Sequence, residues 1–167
     1  MRMLLYSGDS MKQNKTKRVL LAVLFFTASV GMVEAAEIRG FGLGVLLGEP
    51  TGLSAKAWLG DVSAVDGAAA WSFQGEDSFY FHSDYLLHYA DWPVSDAGIL
   101  SGFAGIGGKL HLEEDLRLGL RIPFGLSYSF DSVPVELFIE FAPGVDLIPA
   151  TQEAFTGGLG VRYYFGG

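Results

Sequence analysis

The sequence predicts an all-β protein: a closed, eight-stranded, antiparallel up-and-down transmembrane β-barrel, preceded by a cleaved signal peptide. Three observations carry that expectation. The last stretch, Phe155 to Phe165, alternates with a period of two. Phe155, Gly157, Leu159, Val161, Tyr163 and Phe165 share one face, and Thr156, Gly158, Gly160, Arg162 and Tyr164 share the other. The chain is 50% hydrophobic and 14% aromatic, yet beyond its N-terminal region no long apolar helix-like run occurs, so the apolar residues are spread by alternation. That N-terminal region has the layout of an export signal. Among sheets only a closed one satisfies every backbone donor and acceptor in hydrocarbon, which is why alternation at this aromatic load reads as a membrane barrel.

The export signal comes first in the chain. Lys12, Lys15, Lys17 and Arg18 precede an apolar run from Val19 to Val33, and the small residues Ala35 and Ala36 follow. This is a basic region, a short apolar region and a small-residue cleavage site. The run is too short and wrongly flanked for a membrane-spanning helix. Cleavage after Ala35 puts Val33 and Ala35 at the two specificity positions; cleavage after Ala36 would put Glu34 at one of them. Residues 1–35 are therefore expected to be the signal peptide and residues 36–167 the barrel. Met11 is an alternative start, because the ten residues before it add nothing to the signal.

Removing the signal sharpens the charge balance. Residues 1–35 hold five of the eleven Lys and Arg and two of the nineteen Asp and Glu, leaving six basic and seventeen acidic residues, a net charge of −11. So few cations cannot neutralise a phosphate backbone, which excludes nucleic acid as a partner. The absence of cysteine excludes a lipid anchor on an N-terminal Cys and excludes disulfides.

Eight strands follow from the alternation. The first, Ile38 to Leu47, sets Phe41, Leu43, Val45 and Leu47 against Gly40, Gly42 and Gly44, and Glu49-Pro50-Thr51-Gly52 reads as a type I turn. The second, Leu53 to Leu59, sets Leu53, Ala55, Ala57 and Leu59 against Ser54, Lys56 and Trp58. The third, Val65 to Phe73, turns Asp66, Ala68, Ala70 and Ser72 inward. The fourth, Phe79 to Tyr89, turns Tyr80, His82, Asp84 and His88 inward. Leu100 to Leu110 is a Gly-rich fifth strand of unfixed parity in which a bulge is expected. The sixth, Leu116 to Phe130, is one unbroken alternation with Arg117 and Arg121 inward. The seventh, Val135 to Phe141, turns Glu136, Phe138 and Glu140 inward, and the eighth is the closing strand. Glu49–Thr51, Gln74–Ser78, His111–Asp115 and Gly144–Ala154 are left as loops at one end, and Ala90–Ala97 as a long connection at the other. Tyr89, Trp92, Tyr128, Phe130, Tyr163 and Phe165 fall near that other end, as an interfacial aromatic girdle.

On these residues the stretch from Glu37 to Phe165 resembles the small eight-stranded outer-membrane barrels of the OmpX/OmpA-transmembrane type. The segments G-E-P-T-G-L-S-A-K at Gly48–Lys56, A-W-S-F at Ala70–Phe73 and H-S-D-Y-L-L-H at His82–His88 resemble a family of small, mostly uncharacterised barrels found in several didermal bacterial lineages. The resemblance implies location in the cell outer membrane and the periplasm as the side of both termini. It also implies outer-membrane lipids and the barrel-assembly machinery as partners. Leu159, Val161, Tyr163 and Phe165 would be the insertion signal read by that machinery, although Gly166 and Gly167 follow the aromatic that is normally last.

The inward residues are the candidate functional set. Lys56, Asp66, His82, Asp84, Arg117, Arg121, Glu136, Glu140 and Arg162 are expected to form an ion-paired interior, with Arg117 and Arg121 beside Glu136 and Glu140, and Lys56 beside Asp66. His82, Asp84 and His88 share a face, but positions six apart on a strand span roughly 20 Å, too far to meet at one ion, so a His82–Asp84 hydrogen bond is expected instead of a metal site. The glycine runs lack the helix a phosphate loop needs; they leave room inside a narrow barrel for Tyr80, Phe138 and Tyr164. No cofactor and no catalytic residue is expected. The reading is a monomeric, non-porin outer-membrane barrel with a structural or surface-interacting role and an external protein partner left open. A lipid-modifying barrel enzyme and a soluble periplasmic ligand-binding barrel are the alternatives.

Overall fold

The computed structural model describes residues 40–49, 51–72, 78–95, 97–113 and 115–165. Residues 1–35, expected to be the signal peptide, lie outside them, as do the loop positions 73–77 and the terminal Gly166 and Gly167. The described chain forms nine strands: β1 (Phe41–Glu49), β2 (Gly52–Trp58), β3 (Ser63–Ser72), β4 (Ser78–Ser95), β5 (Gly98–Leu112), β6 (Leu116–Arg121), β7 (Phe124–Phe130), β8 (Val135–Ile148) and β9 (Gln152–Phe165). Each pairs antiparallel with its neighbour in sequence, except that β6 and β7 lie end to end between β5 and β8 as one stave. The ring therefore has eight staves. It closes where β9 meets β1, in register from Phe41 opposite Phe165 to Glu49 opposite Gly157.

Alternation decides which side chains meet lipid. On β1 Phe41, Leu43, Val45 and Leu47 are exposed on the outer surface, and on β9 Leu159, Val161, Tyr163 and Phe165 are. Trp71, Tyr85, Leu87, Tyr89, Leu120, Leu126, Leu137 and Phe141 extend that apolar surface around the ring. Between the two rims the charged residues Lys56, Asp66, Asp84, Lys109, Arg121, Glu136, Glu140 and Arg162 point inward and are buried, whereas Glu49 and Glu153, at the far ends of β1 and β9, are exposed. This inversion of a soluble core, apolar outside and ionic inside, is the pattern that hydrocarbon imposes on a closed sheet. Edge-to-face aromatic pairs at the terminal rim, Tyr128–Phe130 at 4.8 Å and Tyr163–Phe165 at 5.0 Å, supply part of the girdle.

Four elements differ from the expectation. The sixth stave is not one unbroken strand: the ladder is interrupted at Ile122 and Pro123. Pro123 has no N–H to give, so regular pairing lapses there. The register survives the gap, since Arg121 faces Gly107 and Phe124 faces Ala104. Single backbone bonds, from Gly105 N to Pro123 O and from Ile122 N to Pro143 O, hold the seam closed. The fifth stave is regular, and the irregularities in its ladder with β4 fall on β4: Tyr89 faces Gly102 but Asp91 faces Ser101, and Pro93 faces Ile99 but Ser95 faces Gly98. Because these bulges let pairing continue, the long connection expected at Ala90–Ala97 is instead mostly strand. Lastly, the loop expected at Gly144–Ala154 shrinks to a turn around 149–151, because β8 and β9 pair as far as Asp146 opposite Gln152. The apolar–polar alternation weakens at this mouth, where inward positions face water, and that hid the strands.

At the β1–β2 turn, the Gly48 N–H donates to Thr51 Oγ1 and the Thr51 hydroxyl donates back to the Gly48 carbonyl, tying the hairpin end.

Candidate functional site

Parity and register bring the interior side chains together in tiers. The tier nearest the termini centres on Glu136 of β8. It accepts from Lys56 Nζ at 2.7 Å, Arg162 Nη1 at 3.3 Å and the Tyr164 hydroxyl at 2.8 Å. Arg162 of β9 lies directly across the ladder from Glu136. It also donates through Nη2 to Asp66 Oδ2 at 2.7 Å and through Nε to Ser54 Oγ at 3.0 Å. Its guanidinium stacks 3.8 Å from the Phe138 ring centroid, a cation–π contact. Tyr164 can turn inward because Gly42 faces it across the β1–β9 ladder; a Cβ there would sit 3.0 Å from the phenol ring.

The middle tier centres on Arg121 of β6. Its Nη2 donates to Glu140 Oε1, its Nη1 lies 3.4 Å from the Tyr80 hydroxyl, and its Nε lies 3.4 Å from Asp84 Oδ2. His82 Nε2 is 3.7 Å from Asp84 Oδ2, beyond hydrogen-bond length. The expected His82–Asp84 hydrogen bond is therefore absent, since Asp84 is drawn toward Arg121. Four residues beyond Asp84 on β4, His88 packs at 4.4 Å from Trp58 and 5.5 Å from Phe103, away from His82.

Above these tiers, Lys109 of β5 pairs with Asp146 of β8 at 2.6 Å. Lys109 and Tyr80 help line a cup of about 580 Å³ at the far mouth, which also includes Glu49, Glu113 and Glu153. Arg117 is at this mouth. Its side chain is 40% exposed and pairs with Glu113 at 2.9 Å, so it does not join Glu136 or Glu140 as expected. It lies on the inward face, but the four residues that separate it from Arg121 carry it roughly 13 Å up the wall. A second expected pairing also differs. Lys56 faces Asp66 in register, yet Lys56 reaches across the lumen to Glu136 while Asp66 is taken by Arg162. Inside so narrow a barrel a long side chain can reach past its neighbouring stave.

The Lys109–Asp146 pair was not among the expected residues. Lys109 sits on the strand whose parity could not be read, and Asp146 fell within the presumed loop. Continuing the even-numbered inward phase of Glu136 and Glu140 along β8 would have found Asp146.

These tiers fill the interior with side chains. Arg121, Lys56, Phe103, Leu86, Glu136 and Asp84 are all below 2% exposed. An eight-strand ring has an interior only wide enough for side chains to fill, and here charged ones fill it. Burying so many charges carries a large desolvation cost, offset only where geometry pairs them; Glu136, with three donors, is well satisfied.

The fold is that of small outer-membrane β-barrels. The N-terminal β-barrel domain of Pseudomonas aeruginosa OprF superimposes with a TM-score of 0.54 at 15% identity, over 75% of this chain and 96% of that one. Neisserial surface protein A (15% identity, TM-score 0.42) and Ail of Yersinia pestis (17%, TM-score 0.40) each match over 75% of this chain and 94% of their own. No protein-family model matches the chain, and no curated protein does.

Proposed function

We propose that the chain is exported with cleavage after Ala35 and inserts in the outer membrane of a didermal bacterium as a small, monomeric, non-porin barrel. Its role is structural: it maintains the envelope and presents an acidic far mouth to the exterior. The observation that carries this reading is the pairing of an apolar exterior with an ion-paired, closed interior. Buried side chains occupy the interior where a channel would run, and the apolar exterior calls for lipid. The start of β1 at Phe41 and the end of β9 at Phe165 mark the periplasmic rim, and Glu49, Glu113 and Glu153 the outer one. Leu159, Val161, Tyr163 and Phe165 on the lipid face of β9 are the segment recognised during assembly.

Fractionation of the native cell envelope, followed by a gel run with and without boiling, tests the reading. The protein should partition with outer membranes and migrate differently before and after boiling, and its intact mass should begin at Ala36 or Glu37. Recovery in the soluble periplasmic fraction, or retention of residues 12–33, would refute it. Deletion of the coding sequence should raise sensitivity to detergent; unchanged sensitivity would remove the envelope role.

A further inference from the structure

We propose that Asp66, His82 and Asp84 form an interior site for one divalent transition-metal ion of the zinc class, held as a structural cation between β3 and β4. Three observations support it.

The first is charge. Among the described residues five buried carboxylates (Asp66, Asp84, Glu136, Glu140 and Asp146) face four buried Lys and Arg side chains (Lys56, Lys109, Arg121 and Arg162). One negative charge is left over in a medium that penalises it. The surplus belongs at the Asp66–Asp84 pair. These carboxylates sit directly opposite each other in the β3–β4 register, an arrangement that repels. Both arginines that attend them are shared: Arg162 divides between Asp66 and Glu136, Arg121 between Asp84 and Glu140.

The second is unused donor capacity. Asp66, His82 and Asp84 are each at least 97% buried. Among the described residues no hydrogen-bond partner reaches Asp66 Oδ1, His82 Nδ1 or either Asp84 carboxylate oxygen.

The third is geometry. Each of the three offers a ligand atom within 4.8 Å of the others. Metal bonds of ~2.0–2.2 Å bring such atoms closer together, by movement on the order of an ångström. The Asp84 carboxylate turns into space left by Gly107, its partner across the β4–β5 ladder, where a Cβ would collide with it. The approach is short: His82 is the next inward residue on β4 after Tyr80, which lines the cup at the far mouth. One imidazole nitrogen with two carboxylates suits zinc and its first-row neighbours, whereas Mg²⁺ and Ca²⁺ take all-oxygen sets. Arg162 on Asp66 and Arg121 beside Asp84 then serve as the outer groups that orient the ligating carboxylates.

The test uses the full folded barrel in detergent, stripped with chelator, and Zn²⁺ alone as probe. Equilibrium dialysis should give one Zn²⁺ per chain, with affinity falling about tenfold or more in His82→Gln and in Asp84→Asn, since losing a ligand should cost at least what losing an outer-shell partner does. His111→Gln, which alters the half-buried histidine beside Glu113 at the mouth, should bind as the parent does. Zn²⁺ should also raise the thermal midpoint of the parent and not that of His82→Gln. Binding absent from the parent, unaffected by His82→Gln, or abolished by His111→Gln overturns the proposal. Should His82→Gln fail to shift on the unboiled gel, Co²⁺ added to the parent decides. Visible d–d absorption that persists in His111→Gln upholds the site; its absence in either protein overturns it.

Discussion

At the scale of single residues, position along the wall sets the energetic weight of a charge. Arg121 and Arg117 share one face of one strand, but Arg121 is 1% exposed between Glu140 and Asp84, while Arg117 is 40% exposed beside Glu113. Removing Arg121 leaves two buried carboxylates without their cation, a loss of ~3–5 kcal/mol by analogy with broken buried pairs. Arg121→Ala should therefore lower the urea midpoint of the detergent-folded barrel strongly, and Glu140→Ala comparably. Arg121→Met combined with Glu140→Gln should recover part of the loss, since it removes both charges together, though Asp84 stays behind. Arg117→Ala should change stability by less than about 1 kcal/mol, the ordinary worth of an exposed pair. Equal effects at 117 and 121 would contradict this tiering. Parity was legible in the sequence for Lys56, Asp66, Asp84, Arg121, Glu136, Glu140 and Arg162, because alternation marks the inner face unambiguously. Partners were not legible. They depend on barrel stagger and on reach across the lumen, neither of which a period-two pattern records, and so Lys56 finds Glu136 and not the Asp66 beside it.

At the scale of strands, the alternation revealed how many staves there are and which way each faces. It failed where the physical reason for alternation fades. Near the mouth both faces of β8 and β9 touch polar surroundings, so their last residues read as loop. On β4, Pro93 and the bulges near Ala90 disturb the phase without ending the strand. Pro123 shows the opposite error: its apolar–polar phase is perfect, yet its missing N–H breaks the ladder that phase implies. The outer face obeys a simpler rule. Val161 lies on β9 between Val45 and Leu137 on the adjacent staves, all facing out. A lysine there faces hydrocarbon, at a cost of about 2–4 kcal/mol near the bilayer midplane that falls toward the interfaces. Val161→Lys should accordingly lower folding stability in lipid vesicles by that amount. Phe165→Lys, at the terminal rim, should cost about 1 kcal/mol or less on the same measurement. A larger effect at 165 than at 161 in folding equilibria would place the bilayer midplane elsewhere on the barrel.

At the scale of the whole molecule, closure and filling are one property. A ring of eight staves leaves an interior about as wide as its side chains, and the sequence fills that space with charges packed beside the buried Phe138, Phe103 and Leu86. The ion pairs bind non-neighbouring staves to one another: Lys56 of β2 to Glu136 of β8, Arg162 of β9 to Asp66 of β3, and Arg121 of β6 to Asp84 of β4. Each contact joins staves that are not adjacent, so opening a pore of solvent width would require several to break together, each leaving charge desolvated in a low-dielectric wall. Purified barrel in planar bilayers should consequently show no large, stable conductance steps. Arg162→Ala, which removes the side chain joining Asp66, Ser54 and Glu136, should be the variant most prone to brief, small openings, because it vacates the widest cross-link of the tier nearest the termini. Reproducible nanosiemens-scale steps from the parent protein would mean that the lumen is open in the membrane and that these pairs do not close it.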